Sequence, residues 1–400
     1  MSQPPIAIDP SSASSAASTT ADLPNLLSFS ETDLRDLVAQ LGWPPYRVKQ
    51  ILRWLYAKRV RSIDAMTDLS QDARATLAAR TTIRRLPLAT VLTAGDGTQK
   101  FLFTLEDGLT VESILIPDAD RRTLCVSSQV GCTFDCGFCL TGTMGLLRNL
   151  KTHEIVDQVL SVQDRLGEQE RLTNIVFMGM GEPLANFDAT AAAIAILTNE
   201  DWGVGLAARR ITLSTAGMAS RIADVAPLGV NLAISLNATT EAQRARLMPS
   251  ATRTASLRTL MQACRQFPLK ARDRLTFEYV LLAGENDSLG DATRLVALLR
   301  GLRCKVNLIP FNPFPENPLR RPSEPMVLSF QSVLRQAGID VFIRKSKGRD
   351  VLGACGQLGR VPAAQTDSAA SPTTQAHRQP PITPTRPPRR AAPRPARPVP

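Results

Sequence analysis

The sequence predicts an α/β protein: a partial (β/α)6 barrel, with a small helical domain ahead of it and a disordered tail at each end. Three observations carry this. Strand-like apolar runs alternate with helical patterns from residue 123 to about 345. Polar or glycine-containing motifs follow several of those runs, where barrel chemistry collects at the C-terminal ends of strands. The two chain ends differ in composition from everything between them. An open doubly wound sheet satisfies the same alternation and is the alternative.

Residues 1–22 are rich in Ser and Ala and bury too little apolar surface to order themselves. Residues 23–89 read as a helical accessory domain. Leu34, Leu37, Val38 and Leu41 follow helical spacing, with Ser30 as N-cap and Gly42 as stop. Val48, Ile51, Leu52 and Leu55 repeat the pattern after Pro44 and Pro45, and a third helix follows Ser70. Arg47, Lys49, Arg53, Lys58, Arg59 and Arg61 lie beside Trp43, Tyr46 and Trp54. That set suits either a grip on RNA phosphates or a solvated face over an aromatic core. Residues 90–117 form a connecting β segment with a turn at Glu106-Asp107-Gly108.

The core spans 118–358. Its strands are expected at Thr123–Ser127, Asn174–Met178, Arg210–Ser214, Asn231–Ser235, Leu275–Leu282 and Lys305–Ile309. Helical patterns between them include His153–Leu166, Ser256–Phe267, Ser288–Leu299 and Ser323–Ala337, with His153 a helix-start residue. Residues 359–400 read as a disordered Pro/Arg-rich tail, since 361–400 hold 11 of the 29 prolines.

No apolar run approaches the roughly 18–20 residues of a membrane helix. Lys and Arg outnumber Asp and Glu by 47 to 36, a net charge of +11. Six arginines and one aspartate in 361–400 account for +5 of it, leaving +6 for the body. Such a balance favours a polyanionic partner, most simply nucleic acid. The seven cysteines are odd in number and clustered, unlike a secreted disulfide framework. The N-terminus has no basic start and no apolar stretch of a signal peptide, so a cytoplasmic location is expected.

Cys132, Cys136 and Cys139 form CxxxCxxC in a loop after the first strand of the series. Structural zinc takes four Cys or His ligands, and no second CxxC exists. Three thiolates suit a 4Fe–4S cube that keeps one iron open to a substrate.

This motif resembles that of the radical S-adenosylmethionine (SAM) superfamily. Further stretches narrow the likeness: Leu124–Cys132, Gly179–Leu184, Ile211–Ala216, Ala233–Ala238, Asn307–Pro315 and Lys347–Leu358. In this order they are similar to the RlmN/Cfr family of RNA adenine methyltransferases, over roughly residues 23–360. The resemblance implies a radical SAM barrel, one 4Fe–4S cluster held by Cys132, Cys136 and Cys139, and two SAM molecules per turnover. It implies 23S rRNA and tRNA as partners, with carbon 2 of an adenosine (position 37 in tRNA) as the target. An electron donor such as flavodoxin or ferredoxin and a monomeric state are expected with it. Methylation at carbon 8 is the alternative within the family. A non-catalytic, metal-containing RNA-binding protein is the alternative outside it.

The resemblance also assigns roles. Cys355 matches the cysteine that carries the methyl group, and Cys125 the one that resolves the RNA adduct through a transient disulfide with Cys355. Glu112 matches the base that takes the ring proton. Sequence alone leaves Glu112 either on the wet face of its strand or buried with a raised pKa. Gly181 and Glu182, then Ser214, Ser235, Leu236, Asn237 and Asn312, match SAM contacts. Asn237 departs from the family, in which His is frequent there, so proton transfer at that position is lost. Cys264 and Cys304 read as core residues. The paired basic residues Arg84-Arg85, Arg121-Arg122, Arg209-Arg210, Arg320-Arg321 and Arg344-Lys345 suit either an RNA entrance or ordinary solvated ends.

Overall fold

Ser30 starts helix α1 (Glu31–Gln40): its hydroxyl accepts from the Asp33 N–H at 3.1 Å, while the Asp33 carboxylate accepts from the Ser30 N–H at 2.8 Å. Gly42, at φ +68°, ends it. This computed structural model describes residues 23–167 and 170–359. The expected N-terminal tail, and all of the expected C-terminal tail except Gly359, lie outside the described residues. Helices α2 (Tyr46–Tyr56) and α3 (Gln71–Ala78) follow, the latter capped by Ser70.

Strands β1 (Leu88–Thr93), β2 (Gln99–Thr104) and β3 (Thr110–Asp118) form an antiparallel meander that pairs with β4 (Arg121–Cys125). The chain then makes a small separate hairpin, β5 (Gln129–Gly131) and β6 (Leu146–Asn149), with the short helix α4 (Leu140–Thr143) between its strands. Helix α5 (Thr152–Gln163) leads to β7 (Asn174–Phe177), and α6 (Phe187–Thr198) to β8 (Ile211–Thr215). Short 3-10 turns join β8 to β9 (Asn231–Ser235). Helices α7 (Glu241–Leu247), α8 (Pro249–Thr254) and α9 (Leu257–Gln266) precede β10 (Leu275–Leu281). Helix α10 (Leu289–Leu299) precedes β11 (Cys304–Pro310), and α11 (Glu324–Gln336) precedes β12 (Asp340–Ile343).

Among the described residues, the ten strands outside the hairpin make one sheet, ordered β1-β2-β3-β4-β7-β8-β9-β10-β11-β12. From β4 to β12 the pairing is parallel, and β1 and β12 do not close on each other, so the barrel is partial. The six expected strands are present, and β12 adds a seventh to the parallel series among the described residues. Strand β12 is only four residues long, Asp340–Ile343, at the short end for a strand and just after α11, so it does not stand out as a separate element.

The outer face of the sheet packs on the helices. On β10, Leu275, Phe277, Tyr279 and Leu281 alternate with Thr276, Glu278 and Val280, and the Tyr279 ring lies 5.4 Å from that of Phe330 on α11. The helical segment shares this apolar core, with Leu34, Ile51, Leu55 and Tyr56 buried in the same cluster as Phe101 and Phe103 of β2. Ion pairs fasten it. Asp164, which caps α5, takes Arg59 at 2.7 Å and Arg61 at 3.2 Å. Arg85 pairs with Asp157 of α5, their side chains 4% and 2% exposed.

Several basic residues therefore do structural work. Arg85 is buried rather than lining an entrance, and Arg321 donates to the Pro310 and Phe311 carbonyls at 2.9 and 3.0 Å. Trp54 is a core residue that donates to Asp68, with the Lys58 ammonium 3.3 Å from its ring centroid. Tyr46, Lys49 and Arg53 remain exposed on the same helix.

Removing Arg85 would strand the Asp157 charge in the core. Arg85→Ala should lower unfolding free energy by about 3–5 kcal/mol. Arg121→Ala, which breaks a pair that is more than half exposed, should cost less than about 1 kcal/mol. Denaturant melts of both variants check the difference.

Candidate active site

Strand register decides which polar side chains face the barrel interior. Across β2 and β3, Leu102 opposes Glu112 and Lys100 opposes Ile114; across β3 and β4, Ile114 opposes Cys125. Opposed residues share a face, so Lys100, Glu112 and Cys125 stand on one side of the sheet. The parallel strands continue that side with Ser214, Ser235, Glu278 and Asn307. Ser235 opposes Glu278 and Glu278 opposes Asn307.

These buried groups find partners. The Ser214 and Ser235 hydroxyls lie 3.3 Å apart, and the Asn307 amide donates to the Glu278 carboxylate at 2.8 Å. Burial raises the Glu278 pKa, and the nearby Arg344 charge opposes the rise. Glu112 is buried, which settles the choice left open by its sequence. Its pKa is raised by burial, against the Lys100 ammonium at 2.8 Å.

Loops at the C-terminal strand ends supply the rest. Gly181 follows β7 at φ +100°, and a Cβ there would meet the Gln129 side chain at 2.6 Å. Glu182 is buried, with its carboxylate accepting from the Ala216 N–H at 2.7 Å and the Leu184 N–H at 3.0 Å. Burial pushes its pKa up to about 7. Asn237 adopts φ +53° after β9 and accepts from the Val280 N–H at 2.8 Å through its side chain, tying the ends of β9 and β10 together. Leu236 is buried, with its N–H on the Glu278 carbonyl at 3.0 Å and its carbonyl on Arg244 at 3.1 Å.

The three motif cysteines sit between β5 and α4. The Cys132 N–H binds the Gly145 carbonyl at 3.0 Å, and the Gly137 N–H binds the Leu247 carbonyl at 3.0 Å. An apolar cluster containing Phe134, Phe138, Leu140, Met248 and Phe311 packs around the loop. Burial pushes the Cys132 thiol up to about 12 and the Cys136 thiol well above its ordinary value. Thiolates here therefore need a cationic centre to offset their desolvation.

Residues 347–359 bring Cys355 to this loop. The Leu140 N–H donates to the Gly356 carbonyl and the Thr141 hydroxyl to the Leu358 carbonyl, both at 2.7 Å. The Asn312 amide holds the Cys355 carbonyl at 3.1 Å, and the Gly359 N–H donates to Glu112 at 2.9 Å. Cys355 is an exposed residue that lines the cavity, and desolvation there raises its thiol pKa against the Arg344 charge. Cys125 lies close enough for the Cys355 charge to help burial in raising its thiol to about 12. All seven cysteines are free thiols.

One cavity of about 940 Å³, counted out to its mouth, gathers these groups. It is lined by Cys132, Cys136, Cys139, Gly181, Glu182, Ser214, Ser235, Asn237, Asn312 and Cys355. Glu112, Cys125 and Leu236 are not among its lining residues. Among the described residues no three His, Cys, Asp or Glu groups converge tightly enough to hold a single ion. Three thiols, with carboxylate, hydroxyl and amide groups lining the same open-mouthed pocket, fit an iron–sulfur cube and an amino-acid-bearing ligand. Sequence reasoning missed Lys100, Gln129, Arg244 and Glu278 around this site. For Glu278 a signal existed, a lone carboxylate within an apolar strand, as for Glu112.

Asn237→Ala would leave the part-buried Val280 N–H without its acceptor. The expected cost is about 1–3 kcal/mol, read from denaturant melts.

The family model for the radical SAM superfamily matches residues 126–296, and that for the ribosomal RNA large subunit methyltransferase N-terminal domain matches residues 24–83. The chain is 48% identical over 333 residues to the dual-specificity RNA methyltransferase RlmN of Syntrophobacter fumaroxidans, covering 82% of this chain and 96% of that protein. It is 49% identical over 344 residues to the RlmN of an Anaeromyxobacter species, covering 84% and 90%. The crystal structure of a radical SAM methyltransferase from Sphaerobacter thermophilus superposes with a TM-score of 0.79 at 43% identity, over 84% of this chain and 98% of that one. The expected cofactors, a 4Fe–4S cluster and SAM, are those of this family. With its barrel, its cysteine loop and its N-terminal helices all matched, the chain belongs to the RlmN family of radical SAM RNA methyltransferases.

Proposed function

We propose that this enzyme methylates carbon 2 of an adenosine in 23S rRNA and of adenosine 37 in tRNAs, through a methylated Cys355 and with two SAM molecules per turnover. One observation carries the reading: a C-terminal cysteine lines the same cavity as the three motif cysteines, with Cys125 close enough to feel its charge. A ring carbon between two nitrogens is not nucleophilic, so the methyl group needs radical chemistry to reach it. Cys132, Cys136 and Cys139 would hold the cluster, which supplies the electron that cleaves the SAM sulfonium to methionine and a 5′-deoxyadenosyl radical.

The remaining steps belong to the protein's own side chains. Cys355, as a thiolate, displaces the methyl group of the first SAM and carries it as a thioether. After hydrogen abstraction from that methyl, Cys355 is joined to the ring carbon through a methylene bridge. Once the radical adduct has returned one electron to the oxidised flavodoxin or ferredoxin donor, Glu112 accepts the ring proton. The Cys125 thiolate then attacks the Cys355 sulfur. An S–S bond forms, the C–S bond breaks, and its electron pair stays on the methylene carbon, which takes a proton to become the product methyl. Gly181 and Glu182 receive the methionyl ammonium, while Ser214, Ser235, Asn237 and Asn312 offer hydrogen bonds to the rest of SAM, beside Leu236. Asn237 has no proton to exchange, so it binds and orients only.

The exposed Tyr46, Lys49 and Arg53 on α2 support an RNA-binding role for the helical segment 23–89. No described helix is long and apolar enough to cross a membrane. RNA substrates favour the cytoplasm; a flavodoxin or ferredoxin is proposed as electron donor and a monomer as the acting state.

Anaerobic reconstitution with iron and sulfide should give cluster absorbance and SAM-dependent 5′-deoxyadenosine. Mass spectrometry of digested rRNA should find 2-methyladenosine. Cys355→Ala should abolish turnover while leaving RNA affinity within about twofold, since no phosphate contact is lost. An 8-methyl product would move the target carbon. Unchanged activity in the Cys355 variant, or tightly bound zinc in place of iron, would remove the proposed chemistry.

A further inference from the structure

Lys100 is 1% exposed, one of the largest fully buried side chains in the protein. Diagonal to Glu112 on the inner face, it places its ammonium 2.8 Å from Glu112 Oε1. The same Nζ donates to the Leu352 carbonyl at 3.4 Å. The second carboxylate oxygen of Glu112 accepts from the Gly359 N–H at 2.9 Å. Leu352 and Gly359 flank Cys355 on either side in the chain. One buried ammonium thus bridges the carboxylate of Glu112 and the segment that bears the reactive thiol.

A buried Lys–Glu pair is no cheaper than two apolar side chains of the same shape, so stability does not explain it. The strand around it is Phe101, Leu102 and Phe103, where an apolar residue would pack as well. We propose that Lys100 is a positioning residue for the methyl transfer: it keeps the Glu112 carboxylate ionised and aimed, and fixes it to the Cys355 segment so that base and thiol meet the substrate base in one geometry. The inference rests on the reading of Glu112 as the base. Burial raises the Glu112 pKa, the Lys100 ammonium from β2 is the charged group that opposes that rise, and the C-terminal segment adds the Gly359 N–H. Removing the ammonium therefore leaves burial less opposed, and the carboxylate protonates at higher pH.

The test compares Lys100→Met, Glu112→Gln and the double variant, all reconstituted with cluster and given SAM and an rRNA fragment. Lys100→Met should acquire the methyl group on Cys355 and release 5′-deoxyadenosine as the unaltered enzyme does, since neither step uses Glu112. RNA methylation should fall by about 100-fold, with the covalent enzyme–RNA adduct accumulating, because the adduct forms before the proton leaves. The acid limb of the residual rate should move up by about one pH unit or more. The double variant should be no slower than Glu112→Gln. The proposal is overturned if Lys100→Met methylates RNA at the normal rate with the normal pH profile. Loss of Cys355 methylation in that variant also overturns it, by making Lys100 a folding element. If Glu112→Gln itself methylates RNA normally, the reading of Glu112 falls, whatever Lys100→Met does.

Discussion

The arrangement depends on how the C-terminal segment is seated. Two hydrogen bonds of 2.7 Å join the Gly356 and Leu358 carbonyls to the backbone of Leu140 and the hydroxyl of Thr141, directly after Cys139. They convert a remote cysteine into a neighbour of the motif cysteines. Other bonds hold the approach. Gly348 donates to Asp96 at 2.9 Å, and Asp350 accepts from the Gly95 N–H at 2.9 Å. The antiparallel meander of β1, β2 and β3 is thus more than an edge to the barrel. It is the platform on which the Cys355 segment lies, and it carries Lys100 and Glu112 to the same place.

A parallel sheet makes this possible because all its strands release their loops at one end. The interior face is polar, which would be costly in isolation, and the sheet register resolves the cost by pairing. Glu278 meets Asn307, Ser214 meets Ser235, and Glu112 meets Lys100. On the outer face the helices and the N-terminal segment share one apolar cluster with the strands, which Ile114 and Cys125 of the inner face also join.

The local motifs were legible in the sequence because their chemistry is written in short spacings. The cysteine triplet, the Ser30 and Ser70 caps and the six main strands all depend on residues a few positions apart. What stayed hidden depends on distant pairing. Lys100 sits in a Gln-Lys-Phe-Leu-Phe run that looks like a strand with one solvated residue, and nothing local places it against Glu112. Arg85 reads as one of a surface pair until α5 brings Asp157 beneath it. The alternatives for Glu112 were even in sequence because burial of a strand residue is set by what covers the sheet. Asn237 read as a binding residue without a proton to transfer, and nothing local showed that its side chain ties two strand ends.

The central claim is that Cys355 carries the methyl group on its way to RNA. Peptide mass mapping of the enzyme isolated from cells making SAM tests it most directly. The account predicts one added methyl group, on Cys355, with Cys125, Cys264 and Cys304 unmodified. A Cys355 that stays bare in enzyme whose cluster is intact, while RNA is still methylated, would contradict it.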